Sequence, residues 1–424
     1  MATITLSTYA NALHNILLPY IRDNFPKEKI LLDNLKRSSG MSPINNTFYA
    51  PIRTSRNAGV VNLTNDGGTT LSGNSTLGQA SVGVKILTGQ LDISKLAIDA
   101  TKSNELAVEN ALTSQARFLS SDFGRSINRQ AYSDGFGVVA EVLGSASSTS
   151  ILVRYPTSTL DDTRSIDWYG SVNGDIGPTK YLQPGAVIGI GSAAVAVATI
   201  AAAGVSPIAG GTAGTITTSA AVASATGSAI YLVDGGAATT SAGTTEFQGI
   251  RLALSSNTAG SYAGVARSTI GWSATFGSVS EALTMSRIEN SYLTAREFAQ
   301  AGDQYIILVN RTLYKKYGDL LTSLRSTVNQ TDLIAGYTGL EFAAGAGRVA
   351  VYLDYDVPDG EVLVINLDSW RICQVGDLDW MEQPGEGSML RLSNSIKWQA
   401  TMVWFANFIC LAPGANGRET QKSA

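Results

Sequence analysis

The stretch QASVGVKILTGQLDISKLAIDATKSNELAVENALTSQARFLSSDFGRSINRQAYSDG, residues 79–135, changes its hydrophobic period halfway along, and the rest of the chain is read outward from that change. Val82, Val84 and Ile86, then Leu91 and Ile93, and finally Leu96 and Ile98 alternate as a half-buried strand does. Further on, Val108, Leu112, Ala116, Leu119, Phe123, Ile127 and Ala131 recur at steps of four, four, three, four, four and four. That spacing draws one apolar stripe on a helix over 101–132. Thr101 or Ser103 can cap its start, and Ser133-Asp134-Gly135 ends it. At a rise of about 1.5 Å per residue the helix is about 45 Å long. One narrow stripe means that one face packs on a sheet while the rest meets solvent or another subunit.

Upstream, residues 44–100 read as one long hairpin whose tip, Asn65-Asp66-Gly67-Gly68 through Gly78, is full of turn residues. A hairpin of this length has little to bury against in its own chain, so it is expected to reach a neighbour or stay mobile. Residues 1–43 form an arm. Leu13, Ile16, Leu17 and Tyr20 have helical spacing interrupted by Pro19 and Pro26, and a second helical piece is expected over Lys29 to Arg37. The arm sets Arg22, Lys27, Lys29, Lys36 and Arg37 against Asp23, Glu28 and Asp33, a weakly basic balance. Met1 to Thr8 is polar without a basic start, so no secretory signal peptide is expected.

Downstream, from about Glu141 to Thr245, the composition shifts to Ala, Gly, Ser and Thr, which suggests an inserted β-rich module. No charged residue lies between Lys180 and Asp234, long enough in principle for a bilayer span. Yet Pro184 and Pro207 break that run, and Val195, Val197 and Thr199 alternate with a period of two. A strand-built soluble module is the better reading, with loops expected in the Ala/Thr tract from Thr199 to Ala225. Residues 246–412 then mix helices and strands, giving an α+β class. A helix around Thr284 to Ala299 carries Met285, Ile288, Tyr292 and Ala295, with Ser286 and Glu289 at capping-box spacing. A buried strand, Tyr305 to Val309, precedes a helix from Arg311 to Arg325. Strands follow at Arg348 to Leu353 and Glu361 to Leu367 across a turn-rich link, and a long strand runs from about Lys397 to Leu411.

Composition excludes several function classes. The chain has 424 residues, 43 of them glycine, with 15% charged and 44% hydrophobic residues and a net charge of −4. Mean hydropathy is +0.08 and the pI about 5.2. The apolar content argues against disorder, and the acidic pI against a protein that reads DNA through a basic stripe. The single histidine, His14, excludes a His-rich metal site and any mechanism that needs two imidazoles. Cys373 and Cys410 sit in apolar, strand-like runs and are expected to be buried free thiols.

No catalytic constellation survives weighing. Gly189-Ile190-Gly191-Ser192-Ala193-Ala194 has the glycine pattern of a dinucleotide loop. That chemistry also needs a helix start and an acid about 20 residues on, and no Asp or Glu occurs between Asp175 and Asp234. A Gly-rich β turn fits better. Serine nucleophiles lack both a G-x-S-x-G elbow and a base. Asp354, Asp356, Asp359, Glu361, Asp368, Asp377, Asp379, Glu382 and Glu386 face only Arg371 in sequence, which suggests a solvated acidic surface rather than a calcium loop. Acid on one side and a weakly basic arm on the other would suit a container of nucleic acid.

The order of elements and several local strings resemble the major capsid protein of tailed bacteriophages. Tyr262-Ala263-Gly264-Val265-Ala266-Arg267 followed by Gly271-Trp272 is similar to a stretch that follows that family's long helix. Asn366-Leu367-Asp368-Ser369-Trp370, then Gly376-Asp377-Leu378-Asp379-Trp380, is similar to its late strand-turn segment, and Pro413, Ala415 and Gly417 to its closing one. The resemblance spans residues 1–140 and 246–418.

It implies an N-terminal arm over 1–43, an E-loop hairpin over 44–100, and a spine helix with the start of a peripheral domain over 101–140. An inserted β-rich domain would follow over 141–245, a return to the peripheral domain over 246–280, an axial domain over 281–375, and peripheral strands with a tail over 376–424. It also implies assembly of the chain with itself into the pentamers and hexamers of an icosahedral shell around non-specifically held double-stranded DNA. Scaffolding, portal and cement proteins would be the other partners, with no membrane, cofactor, metal or enzymatic activity. The implied setting is the capsid of a virion made in a bacterial cytoplasm. Arg53, Arg56, Asp66, Lys85, Arg117, Arg125, Arg267 and Trp272 are the expected contacts between subunits. Only about 43 residues precede the hairpin, so a separate scaffolding protein or none is expected. The tip from Asn65 to Gln79 has no lysine, so covalent cross-linking of the shell is not expected. An encapsulin-type nanocompartment shell is the nearest rival; a β-rich adhesin or decoration protein is a rival of another class.

Overall fold

A computed structural model of the chain describes residues 30–39, 43–62, 73–102, 111–135, 137–142, 146–154, 182, 184–190, 196–204, 214–224, 228–232, 246–255, 260–277, 281–299, 304–323, 330–332, 338–344, 347–358, 360–381, 389–391, 396–420 and 422–423. His14 and most of the arm lie outside these residues, as does Asp66.

The arm enters the described fold through α1 (Ile30–Asn34), shorter than expected, and β1 (Arg37–Ser39). Ile30, Leu31 and Leu35 are buried in the main core. β2 (Thr47–Arg53) and β3 (Leu77–Gly83) then pair antiparallel from Thr47↔Gly83 to Arg53↔Leu77. The base of this hairpin is anchored, because Phe48, Ala50, Ala80 and Val82 belong to the main core. Its outer end is not: Leu77 is 76% exposed, Val60 84% and Val61 57%.

β4 (Lys85–Ser94) follows after one residue but takes a new partner, the strand over Lys397–Cys410, in register from Lys85↔Ala406 to Ser94↔Lys397. This corrects the single hairpin over 44–100 with nothing to bury against. The alternation is real, but its second half belongs to a sheet of the chain's own body. Leu96 and Ile98 are not strand residues either. The Ser94 hydroxyl accepts a hydrogen bond from Ala97 N at 3.2 Å and opens α2 (Lys95–Lys102).

α3 (Ala111–Tyr132) carries the described part of the long stripe; Val108 lies outside the described residues. Its 22 residues span about 33 Å. Phe123, Ile127 and Ala131 are buried, and the helix lies so close to β4 that a Cβ on Gly89 would meet Phe123 Cε2 at 2.2 Å. Glycine at 89 is what lets helix and sheet touch. The helix ends as read, with Ser133 N and Oγ both donating to Gln130 O and Ser133 Oγ accepting from Gly135 N.

Six strands then close a barrel: β5 (Val138–Val142), β6 (Ala146–Arg154), β7 (Val187–Ile190), β8 (Ala196–Gly204), β9 (Gly214–Ser224) and β10 (Ala229–Leu232). Their order is β10-β5-β6-β9-β8-β7. The core is aliphatic, with Val142, Ile151, Val153, Ile188, Ile200, Ile216 and Ile230 buried. The β-rich module is therefore present, and the Ala/Thr tract expected to contain loops also holds the paired strands β8 and β9; residues 205–213 and 225 lie outside the described residues. Small side chains there leave few apolar positions, and of those described Ile200, Ile216 and Val222 are buried. Thr218 is also buried, its hydroxyl satisfied by Ala220 O at 2.7 Å and Thr149 O at 3.2 Å. Gly189 is a strand residue of β7, and the next described element is a strand, which removes the helix start that a dinucleotide loop requires.

Beyond the barrel come α4 (Ile250–Ala253), the small hairpin β11 (Ser261–Tyr262) and β12 (Val265–Ala266), then β13 (Thr275–Gly277) and β14 (Glu281–Ala282). α5 (Met285–Glu297) is capped by Thr284, whose hydroxyl accepts from Arg287 N, rather than by the box expected from Ser286 and Glu289. β15 (Tyr305–Val309), α6 (Arg311–Ser323), β16 (Gln330–Asp332), β17 (Thr338–Ala344), β18 (Gly347–Leu353) and β19 (Val362–Asn366) follow. The last strands are β20 (Trp370–Gln374), β21 (Asp379–Trp380), β22 (Met389–Arg391), β23 (Lys397–Cys410), β24 (Gly417–Glu419) and β25 (Lys422–Ser423).

Two sheets organise this half. One has the order β1-β20-β23-β21, with β4 and β22 also on β23; the other runs β13-β24-β19-β15-β18-β17-β16. A separate core lies where Ile288, Tyr292 and Ala295 of α5 and Leu313 and Tyr317 of α6 meet Ile307, Val309, Val351 and Val364.

Candidate assembly surfaces

The hairpin presents its charged candidates outward. Arg53 Nε donates to Ser55 O at 3.1 Å, and Arg56 is exposed. The two chains of the hairpin are tied at this level, with Thr54 N donating to Thr76 O at 2.9 Å and Ser55 Oγ accepting from Thr76 N at 3.0 Å. Lys85 starts β4 half-buried, and burial pulls its ammonium pKa below the usual lysine value. On α3, Arg117 is exposed beside Phe118, and Arg125 pairs with Asp122 at 3.2 Å.

Arg267 and Trp272 are turned inward, which corrects their reading as contact residues. Arg267 is 4% exposed; Nη1 donates to Ala253 O at 2.9 Å and Nη2 to Leu252 O, while the guanidinium lies over the Tyr262 ring. Trp272 Nε1 donates to Tyr262 O at 3.0 Å, and Tyr262 OH accepts from Cys410 N at 2.9 Å. Those residues knit α4, the small hairpin and β23 together. The string around Asn366 and Trp370 works alike. Asn416 Oδ1 accepts from Asn366 N at 2.9 Å and Trp370 Nε1 at 3.1 Å, and its amide donates to Ser369 Oγ and Ala412 O.

The acidic surface expected between Asp354 and Glu386 is also corrected. Asp354 is buried, accepting from Tyr132 OH at 2.8 Å. Glu361 is buried against Arg418, with Nη2 on Oε1 at 2.7 Å and Nε on Oε2 at 3.2 Å. Asp368 pairs with Lys36 and accepts from Gln304 N at 3.0 Å; the Lys36 hydrogen bond holds its carboxyl below the usual carboxylate range. Asp377 and Asp379 are exposed, while Asp359, Glu382 and Glu386 lie outside the described residues. Among the described residues no group of three or more His, Cys, Asp or Glu could hold a metal ion, and no helix is long and apolar enough to cross a membrane.

Neither cysteine forms a disulfide, and both are fully buried. Burial pushes Cys373 up to about 11 and Cys410 up to about 12. Thiolate is the reacting species, so neither should titrate with an aromatic disulfide reagent at about pH 8 until urea unfolds the chain. Rapid reaction of either thiol in the native protein would overturn that burial. The sign of the linkage follows: raised thiol pKa values favour the fold below the ordinary thiol range, and that advantage is lost as the pH climbs toward about 11 and about 12.

Among the described residues, some apolar side chains are also exposed. Besides the hairpin end, Ile86 and Phe405 are exposed cross-strand partners on β4 and β23, and Val375, whose N donates to Phe405 O at 3.0 Å, is exposed beside them. The opposite face of β4 packs on α3.

No protein-family model and no curated protein matches the sequence. Among solved structures, the capsid asymmetric unit of cyanophage A-1(L) matches over 99% of this chain and 100% of that chain, with a TM-score of 0.57 and 14% identity. The fold is the phage capsid-protein fold. The capsid of a native GTA particle (TM-score 0.49, 8% identity, 100% of both chains) also aligns. So does the holo-SrpI encapsulin complex from Synechococcus elongatus PCC 7942 (TM-score 0.47, 8% identity, 100% of this chain and 97% of that one). Both are more distant, and the assignment rests on the first. The strings that carried the sequence resemblance are packing residues, and among the described residues the hairpin end and the sheet face around Ile86, Val375 and Phe405 carry exposed apolar side chains.

Proposed function

We propose that the chain is a major capsid protein whose copies assemble into pentamers and hexamers of an icosahedral shell around double-stranded DNA. The observation that carries this reading is the match of the capsid fold over the full length of both chains, at a hairpin whose end is apolar and exposed. In this reading the β2–β3 hairpin is the E-loop, and its Val60, Val61 and Leu77 dock on an adjacent subunit. α3 is the spine, α5 and α6 with the seven-stranded sheet form the axial domain, and the barrel is an insertion. The role is structural rather than enzymatic. Without a lysine between Asn65 and Gln79, the shell is held non-covalently by many modest, repeated contacts. DNA is held without sequence preference, and that hold weakens with salt. Scaffolding, portal and cement proteins are the further partners, and the virion is the setting.

Negative-stain electron microscopy of the purified protein, with and without co-expressed neighbouring genes, tests this. Closed shells or flat capsomer sheets are expected. Dispersed monomers under both conditions would sink the reading, and shells filled with a protein cargo would favour the nanocompartment.

A further inference from the structure

We propose that β24 is a late-arriving latch: the seven-stranded sheet, and the seat of α5 on it, close only when Gly417–Glu419 inserts, and chains without it stay out of shells. The inference rests on the assembly role proposed above. β24 follows every other strand of its sheet in chain order, yet it lies inside that sheet rather than at its edge. It runs parallel to β13 (Thr275↔Gly417, Phe276↔Arg418, Gly277↔Glu419) and antiparallel to β19 (Val364↔Gly417, Leu363↔Arg418, Val362↔Glu419). Among the described strands β13 pairs with β24 alone, and β14 with β25 alone. The two strands that precede α5, Thr275–Gly277 and Glu281–Ala282, are thus each fastened by a strand from the end of the described fold. Thr275 N donates to Asn416 O at 3.1 Å and Thr420 N to Gly277 O at 2.8 Å, extending the seam at both ends.

Side chains make insertion close to all-or-none. Arg418 is fully buried, forked on Glu361 of the neighbouring loop, with its guanidinium over Phe276. Before Arg418 arrives, Glu361 is a carboxylate at the head of β19 without that cation, and burying it is strongly unfavourable. Gly417 sits where a Cβ would meet Ser291 Oγ at 2.5 Å, so α5 rests directly on the backbone of the latch. Helix docking and strand insertion are one event. The barrel, with its own core and closed ladder, is independent of it.

The test uses two variants beside the full chain: one ending at Asn416, and a full-length Gly417→Val. Hydrogen exchange is followed at residues 275–297 and, as an internal control, in the barrel strands; particles are counted by electron microscopy. Both variants should lose protection over 275–297 and lose shells while the barrel stays protected. Full protection over 275–297 in the shortened chain would overturn the latch, and so would normal shells from it. Loss of protection in the barrel as well would reduce β24 to one more piece of a single cooperative core, which also refutes it. If the full-length chain forms no shells, the assembly reading fails, whereas the exchange data still decide whether β24 closes the sheet.

Discussion

Arg418→Ala should destabilise the chain by about 3–5 kcal/mol, the cost of stranding one member of a buried ion pair. Arg418 and Glu361 are 0% and 1% exposed at their side chains, and the two nitrogens of one fork meet the two oxygens of the other. Removing the guanidinium leaves a fully buried carboxylate without that cation to compensate. Against a total stability of about 5–15 kcal/mol, such a loss is decisive. Urea unfolding followed by tryptophan fluorescence reads it, because Trp272, Trp370 and Trp404 lie in the main core. The companion double variant Glu361→Leu/Arg418→Met separates charge from packing. Replacing both partners by apolar groups is often neutral or stabilising, so its midpoint should return to at least the parent's. A single variant as stable as the parent would mean that the pair is not buried in solution.

Joining Ser55 to Thr76 through Asn-Gly, in place of residues 56–75, should have the opposite profile. The cut falls where Thr54, Ser55 and Thr76 already bond across the hairpin, so the shortened loop closes on an existing pair. Val60 and Val61 go with it, and neither is buried in the chain. Stability should therefore move by no more than about 0.5 kcal/mol, the scale of surface substitutions. Shell formation, by contrast, should be abolished, because in the proposed assembly the deleted element serves a neighbour. Normal particles from this variant would show that the hairpin end has no assembly role.

The contrast between these variants mirrors what was legible in the sequence. Periodicity carried the elements with local signals: the stripe through Leu119, Phe123 and Ile127, the strand Tyr305–Val309 and the strand ending at Cys410 fall where the pattern put them. Partners were not legible. A period of two says that β4 has one buried face, but not that its ladder is with β23, more than 300 residues away, instead of with β2. The Ala/Thr tract hid two barrel strands because bulky aliphatics such as Ile200, Ile216 and Val222 are sparse among its small side chains. Charge counting failed at Glu361 for the same reason: its cation comes from position 418, and only the sheet brings them together. Arg267 and Trp272 carried a family resemblance, and a string kept for packing looks the same in one sequence as a string kept for contact. Burial separates the two.

The closed barrel bears on a crowding problem. Any assembly that repeats this chain many times would bring its barrels to a local concentration far above that of free protein. An open sheet there would offer rows of unpaired N–H and C=O groups, and adjacent copies would stitch together strand to strand. Here the ladder runs from β10 through β5 and round to β7, which pairs with β10 again, so no row is left to extend. Thr149, Ser150, Ser219, Ala220 and Ala221 face outward from β6 and β9, small and uncharged. Modules built this way can sit shoulder to shoulder and remain strangers.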